Sequence, residues 1–397
     1  MKIALLCSGL GHIRRGHEVF ARDLHTLLRD AVDITLFKGG GDPAPGEVLV
    51  DNLPRQSPLL ENVHVAVAPK WVEAVQEQER LRIEGETFAH AALKPLMEGG
   101  YDVLHCLEQE VCTVLYRNRH LFRRPPKVLF SNGGAIPARD LPPCDFVQEH
   151  TAYNLRRSAR HKAFLIPHGV DTARFRPQAR GDFRARHGIP QDAFVVISVG
   201  TICHWHKRMD HVIREVAGLP GAHLLVVGQE SPESPPIRAL GAQLLGPRVH
   251  FMSLDHAQLP EAYAAADVFA LGSLFETFGI VYIEAMAMGL PVACTDHPNQ
   301  REIVREALFV DMRRPGALLA ALRDTPRERL QALAQRGPAI VAEHYDLATL
   351  KRQYVERYAA IAASPSTLPR YSLRRKIAAN LGNAWRRSTG LFRQAAG

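Results

Sequence analysis

The sequence has no apolar run long enough to cross a bilayer; the longest, such as Ala31–Phe37 and Phe194–Val199, have strand length. It opens directly on KIALLC, without the charged start, long apolar stretch and small-residue cleavage site of a signal peptide, so the expected location is the cytoplasm. Its six cysteines, Cys7, Cys106, Cys112, Cys144, Cys203 and Cys294, include no C-x-x-C pair and mostly sit in apolar, strand-like runs. That pattern argues against a disulfide framework or a zinc site and for buried, reduced thiols. Aromatic residues make up only 7% of the chain, with no stacking platform and no recognition-helix pattern. Nucleic acid is therefore not an expected partner, although the net charge of +8 suits anionic ligands such as nucleoside diphosphates or acidic lipid. There is no repeat of solenoid period. Nor does an acidic residue end the second strand, where a dinucleotide ribose would require one; Phe37-Lys38-Gly39 stands there.

What remains is a soluble globular composition, 46% hydrophobic and 23% charged, in 397 residues, enough for two domains. A strand at Ile3–Cys7 runs through the glycine-rich turn Ser8–Gly16 into a helix with Val19, Phe20, Leu24, Leu27 and Leu28 on one face, then a strand at Asp33–Phe37. This β-loop-α-β rhythm makes parallel sheets. Further strands are expected at Val63–Val67, Val103–Cys106, Lys127–Phe130, Asp145–Val147 and Ala163–Ile166, with a long helix around Val72–Leu96. After the glycine- and proline-containing turn from Pro167 to Pro177, the rhythm restarts. Strands are expected there at Val195–Val199, Ala222–Val227, Val249–Phe251, Val268–Leu271, Pro291–Cys294 and Leu308–Val310. The fold class is thus α/β, with two Rossmann-like domains facing a cleft lined by loops after Cys7, Val199, Val227 and Leu271. The expected divisions are residues 1–166, 167–343, a helix within 344–363 and a basic tail, 364–397.

The stretch from Ala266 to Val292 carries the most chemistry. A strand ends near Leu271, a loop carries Glu276, and a helix starting near Phe278 stops at Gly289 before Pro291. Gly279 lets backbone N–H groups approach an anion, and the helix dipole favours a diphosphate there. Glu284, inside the helix, is placed to accept hydrogen bonds from vicinal hydroxyls such as a ribose pair. The run E-T-F-G-x-x-x-x-E-A-M-A-x-G-x-P-V resembles the donor-site signature of glycosyltransferase family 4. The resemblance implies the GT-B fold, with a C-terminal helix crossing back to the first domain, matched here by Tyr345–Ala362. It also implies Glu284 on ribose, Glu276 on the donor sugar, and the backbone of Phe278, Gly279 and Ile280 on the diphosphate.

Three other segments support the resemblance. In Val199–Asp210, Lys207 fills the family's lysine position, while Thr201 stands where arginine is usual; Arg208, His204 or His206 are the candidates for the missing charge. The loop Gly9–His17 resembles the family's first glycine-rich loop, with Gly11 facing the donor and His12 and Arg14 on the acceptor side. Phe164–Asp171 is close to the family's I-P-N-G-V-D turn, read as a structural connector with His168 near it. A histidine that many relatives carry is replaced by Ser131 or Asn132; Asn132 and the nearby His105 are acceptor-side candidates.

The resemblance implies a retaining transferase that needs no metal and no cofactor, with the nucleoside-diphosphate sugar as co-substrate. It would move a hexose to a hydroxyl of a sugar, lipid-linked or small-molecule acceptor, in synthesis of cell-surface glycans, glycolipids or glycosides. Glu276, Lys207 and Arg208 form the expected catalytic set. Two alternatives are a non-catalytic sugar-nucleotide-binding protein and a sugar-nucleotide epimerase. Basic segments at Arg117–Lys127 and in the tail suggest peripheral contact with anionic membrane.

Overall fold

The computed structural model describes residues 1–13 and 16–365. The first seven strands, β1 (Lys2–Cys7), β2 (Asp33–Lys38), β3 (Glu47–Leu49), β4 (Val103–Cys106), β5 (Lys127–Ser131), β6 (Phe146–Glu149) and β7 (Ala163–Leu165), form one sheet ordered 3-2-1-4-5-6-7. All its neighbours pair parallel. The next six, β8 (Val195–Val199), β9 (His223–Val227), β10 (Val249–Met252), β11 (Val268–Ala270), β12 (Val292–Thr295) and β13 (Leu308–Val310), form a second parallel sheet ordered 10-9-8-11-12-13. Both are doubly wound, with strand order reversing beside β1 and beside β8, and ligands collect at that reversal beyond the carboxyl ends of the strands.

Helices α1 (Gly16–Leu28), α2 (Val72–Gly99), α3 (Gln109–Asn118) and α4 (Ala152–Leu155) accompany the first sheet. The second has α5 (Phe183–Arg186), α6 (Met209–Ala217), α7 (Ser234–Leu245), α8 (Leu259–Ala264), α9 (Ile280–Ala287), α10 (Pro298–Val304), α11 (Ala317–Asp324) and α12 (Arg327–His344). The last helix, α13 (Leu347–Ala363), crosses back. The periodicity explains these assignments: α6 buries Met209, Val212, Ile213 and Val216, one helical face. Strand β8 is buried on both faces, as a central parallel strand covered by helices must be.

Helix α13 starts where Asp346 accepts a hydrogen bond from the Thr349 N–H at 3.2 Å. It buries Leu350, Tyr354, Tyr358 and Ile361 with Ile3, Leu5, Leu24 and Leu129 of the first sheet's core. Gln148 donates to the Tyr354 hydroxyl at 2.8 Å, and Lys351 bonds Asp30 at 2.5 Å. The chain thus crosses between the sheets twice, and the two crossings are tied together: Val170 N–H donates to the Tyr345 carbonyl (2.9 Å) and Leu347 N–H to the Val170 carbonyl (3.1 Å).

One expected strand is not formed. Val63–Val67 alternates like a strand, but the place beside β2 is taken by Glu47–Leu49, in register from Leu36↔Glu47. Val63 and Val65 are only half-buried, Val67 is exposed, and the Val63 carbonyl is held instead by Gln76 of α2 at 2.9 Å.

Candidate active site

The loop between β11 and α9 places Glu276 at the carboxyl edge of the second sheet, 4% exposed. Its Oε1 accepts from Lys207 Nζ (2.7 Å) and Ser273 Oγ (2.6 Å), and His206 Nε2 lies 3.6 Å away. Its backbone carbonyl accepts from Asn299 (2.8 Å) and Gln300 (2.7 Å), both buried on α10. The loop is therefore rigid before any ligand arrives. Lys207 is fixed as well: its aliphatic stem packs on Gly200, where an added Cβ would come within 3.1 Å of Lys207 Cε.

Gly279 adopts φ 78°, and a Cβ there would meet the buried Tyr282 ring at 2.7 Å, so the sequence needs glycine here. It caps α9 without a side-chain hydrogen bond, which leaves the first-turn N–H groups and the positive dipole end to a ligand. Phe278 is buried edge-to-face against His168 and Tyr345, and Ile280 is half-buried facing α1. Glu284, one turn farther on, is 3% exposed. Its Oε2 accepts from the Tyr263 hydroxyl (2.9 Å) and its Oε1 lies 2.8 Å from His256 Nε2. Burial and the Glu284 charge push the Tyr263 hydroxyl well above its ordinary range, which keeps it a donor. Across the cleft, Asp23 of α1 senses His256, Glu284 and Arg174; burial raises its carboxyl.

The three candidates for the charge missing at the half-buried Thr201 now separate. Arg208 is in the left-handed region (φ 49°), and its guanidinium donates to the carbonyls of Met312 (2.5 Å) and Gly272 (3.4 Å). It latches three loops together, its guanidinium spent on these backbone carbonyls, a correction to its place in the expected catalytic set. His204 pairs with Asp210 at 2.8 Å. His206 alone approaches Glu276; burial lowers its basicity, opposed by the Glu276 charge.

On the first sheet, the glycine loops after β1 and β2 are pressed together: a Cβ on Gly11 would lie 2.0 Å from the Gly40 carbonyl. That packing accounts for Gly11. His12 folds onto Gly40 and bonds Asn52 at 3.1 Å. Arg14 lies outside the described residues.

Two acceptor-side expectations are corrected. His105 is fully buried and bonded to Tyr358 of α13 at 2.7 Å, so it sits inside the core and burial holds its pKa to about 3. Asn132 spends its amide on the turn and on β6: it accepts from Ile136 N–H (2.8 Å) and donates to the Ile136 carbonyl and Glu149, both at 2.9 Å. Ser131 instead meets His150 Nε2 at 2.9 Å, and His150 stacks on His168 at 3.8 Å.

The sequence did not disclose the polar network at the carboxyl ends of β1 and β4. Fully buried Glu84 receives the Arg55 guanidinium (2.5 Å) and backbone N–H (2.8 Å); Glu108 accepts from Ser8 N–H at 2.9 Å and sits 3.5 Å from His17. No spacing rule brings α2, a loop and α3 together; only the β1–β4 neighbour relation does. Donor atoms of Cys7, His17 and Glu108 lie within 4.8 Å of one another, but burial raises the Cys7 thiol and so disfavours the thiolate a metal would need.

With this geometry in view, comparison with known proteins is informative. Residues 179–337 match the family described as glycosyl transferases group 1. The D-inositol 3-phosphate glycosyltransferase of Mycolicibacterium smegmatis is 35% identical over 152 residues, which is 37% of this chain and 35% of that protein. The aligned part of the chain thus spans about a third of that relative's length. Among solved structures, sucrose-phosphate synthase of Thermosynechococcus elongatus superposes with a TM-score of 0.75 at 22% identity, covering 92% of this chain and all of that one. Anabaena HepE in complex with UDP and glucose gives 0.71 at 17% identity, covering 91% and 100%. The chain has the GT-B fold. No helix among the described residues is long and apolar enough to cross a membrane.

Proposed function

We propose that this protein is a retaining glycosyltransferase that moves a sugar from a nucleoside diphosphate to an acceptor hydroxyl. The carrying observation is the Lys207–Glu276 pair beside the uncapped start of α9, with Glu284 one turn farther on. The group 1 match over residues 179–337 and the HepE complexes with UDP-glucose and with UDP and glucose support a nucleoside-diphosphate-sugar donor.

On this reading the diphosphate lies on the N–H groups of Phe278, Gly279 and Ile280. Lys207 donates to it as negative charge grows on the leaving oxygen. Glu284, pre-oriented by Tyr263 and His256, accepts from the ribose hydroxyls. Glu276, oriented by Ser273, faces the sugar. The acceptor oxygen bonds to the anomeric carbon on the side from which the diphosphate departs, and the departing phosphate takes the acceptor proton. No histidine base is then required where Ser131 and Asn132 stand. Retention and independence from metal rest on the family resemblance. The carboxylate of Glu108, held by Ser8 and partly exposed, is an acceptor suited to a hydroxyl-rich acceptor.

The test is turnover of UDP-, GDP- and ADP-sugars by the wild type and by Glu276→Ala. Loss of transfer and of slow donor hydrolysis in the variant supports the proposal. Turnover that survives Glu276→Ala unchanged contradicts it, and binding without turnover in the wild type would favour a non-catalytic sugar-nucleotide-binding protein.

We also propose that the protein meets anionic membrane at one edge. Of the basic stretch Arg117–Lys127, Arg119 is buried against Asp145 (2.6 Å) and Lys127 is buried, but Arg117, Arg123 and Arg124 are exposed around exposed Leu121. Co-sedimentation with phosphatidylserine vesicles at low salt should fall several-fold in Arg123→Glu/Arg124→Glu; equal sedimentation of both proteins would count against this edge.

A further inference from the structure

Charge at the donor edge does not balance. Lys207 and Glu276 form a pair (2.7 Å) that is neutral in sum, and Glu284 adds a buried carboxylate one turn along α9. A nucleoside-diphosphate sugar brings two negative phosphates, against one ammonium and the charge of roughly +0.5 at a helix start. Other cationic side chains of the loop before α6 are spent elsewhere: Arg208 on the carbonyls of Met312 and Gly272, His204 on Asp210. His206 remains, and it faces the pair.

The ring is set in place by its own loop. Glu233 Oε2 accepts from the N–H groups of His204 (2.6 Å) and Trp205 (3.3 Å). The Ser231 and Ser234 hydroxyls both donate to the Ile202 carbonyl, at 2.7 and 2.8 Å. The imidazole stacks on the Trp205 indole, 5.2 Å between centroids and 28° between planes, and is hydrogen-bonded to the Phe275 backbone. Its Nε2 lies 3.6 Å from Glu276 Oε1, the oxygen that Lys207 also holds. The side chain is 39% exposed, so a ligand at this edge can reach it. The charged groups facing it are Glu276, from the β11–α9 loop, and Lys207, from its own. Burial lowers its basicity and Lys207 acts in the same sense, against Glu276 and the Phe275 backbone, so without a ligand the ring is mostly neutral at pH 7.

We propose that His206 takes up one proton when the diphosphate of a nucleotide sugar binds, and that the imidazolium so formed stands beside Lys207 as a second cation. The proton comes from solvent and returns to it when the nucleotide leaves. The incoming diphosphate supplies the opposite charge that favours the protonated ring, and the Trp205 face adds a cation–π contact. Donor affinity is then linked to pH. It tightens as pH falls from the ring's basicity in the complex to its lower basicity in the free protein, by up to ~tenfold per pH unit. The inference rests on the reading of this edge as the donor site.

The experiment is calorimetric titration of the full chain with UDP-, GDP- and ADP-glucose at pH 6, 7 and 8. Each titration is run in two buffers of different ionisation enthalpy, which counts the protons taken up; the three ligands carry no group that titrates in this range. The variants are His206→Gln, neutral at every pH, and His206→Arg, charged at every pH. The wild type should take up about half a proton or more at pH 7 and bind its donor roughly tenfold more tightly at pH 6 than at pH 8. His206→Gln should lose most of that uptake and bind at pH 6 about as weakly as the wild type does at pH 8. His206→Arg should lose the uptake too, but keep tight binding at pH 8. Binding by the wild type without proton uptake, or equal uptake by His206→Gln, would overturn the proposal and leave the donor reading standing. Absence of binding of all three ligands would overturn the donor reading and the proposal with it.

Discussion

Lys207→Ala is expected to lower kcat/KM for the nucleotide sugar by about 10²–10³-fold, the size seen when one preorganised donor to a developing negative charge is removed. Most of the loss should fall on kcat. The ammonium meets a ground-state diphosphate too, but its charge counts most when the sugar–phosphate bond breaks. The fold should tolerate the change, because Glu276 keeps Ser273 at 2.6 Å and its carbonyl keeps Asn299 and Gln300. Lys207→Arg should rescue little, since the stem runs along Gly200 with no spare room and a planar fork does not follow that path. Steady-state release of nucleoside diphosphate, measured beside the unfolding midpoint, checks this. An unchanged kcat with a raised KM would mean that Lys207 only holds the donor.

The second large effect is on stability in acid. Burial holds His105 and His150 to about 3, and His168 well below its ordinary range, with no carboxylate to offset the cost of charging them. Between pH 3 and the unfolded value of 6.5 the unfolded chain binds protons that these native imidazoles refuse. Stability therefore rises with pH across this window, is complete above 6.5, and is lost as pH falls. Each such histidine contributes a slope of up to ~1.4 kcal/mol per pH unit. Glu18 and Glu149 act in the opposite sense, because burial raises their carboxyls and the native state then takes up their protons first. The net expectation is that stability falls as pH drops from 6 to 5, because His25, His206, His211, His223, His250 and His297 are lowered as well, against the raised His17, Asp23 and Glu110. Denaturant unfolding at half-unit pH steps measures it. Replacing His105, whose Nδ1 meets only the Tyr358 hydroxyl, with glutamine should lower the slope by up to ~1.4 kcal/mol per pH unit; an unaltered slope would contradict the assignment.

Which parts of this were legible in the sequence follows from range. Strand–loop–helix units are local, so the apolar runs and the glycines flanking α9, Gly279 and Gly289, located nearly every strand and both ends of α9. Val63–Val67 misled because alternation shows that a segment suits a sheet edge, whereas the edge itself went to Glu47–Leu49. Glu276 and Lys207 were legible as motif members, but their 2.7 Å contact depends on β8 and β11 being neighbours across 69 residues. Tyr263 and His256, which orient Glu284, carry no motif at all. Arg208 was misread for a physical reason: a cation beside Lys207 invites an anion-binding role, but its left-handed backbone turns the side chain onto the carbonyls of Gly272 and Met312. The Arg55–Glu84–Glu108 network was invisible because loop, α2 and α3 meet only in three dimensions.

The central claim is that the start of α9, with Lys207, Glu276 and Glu284, holds a nucleoside-diphosphate sugar. Thermal unfolding of the wild type and of Glu284→Ala, titrated with UDP-, GDP- and ADP-sugars, tests it most directly. The account predicts that one nucleotide sugar raises the wild-type midpoint saturably, adding ~2.7 kcal/mol at a hundredfold excess over its Kd. Glu284→Ala should need at least tenfold more ligand for the same shift. No shift with any of the three, or the same titration curve for both proteins, would contradict it.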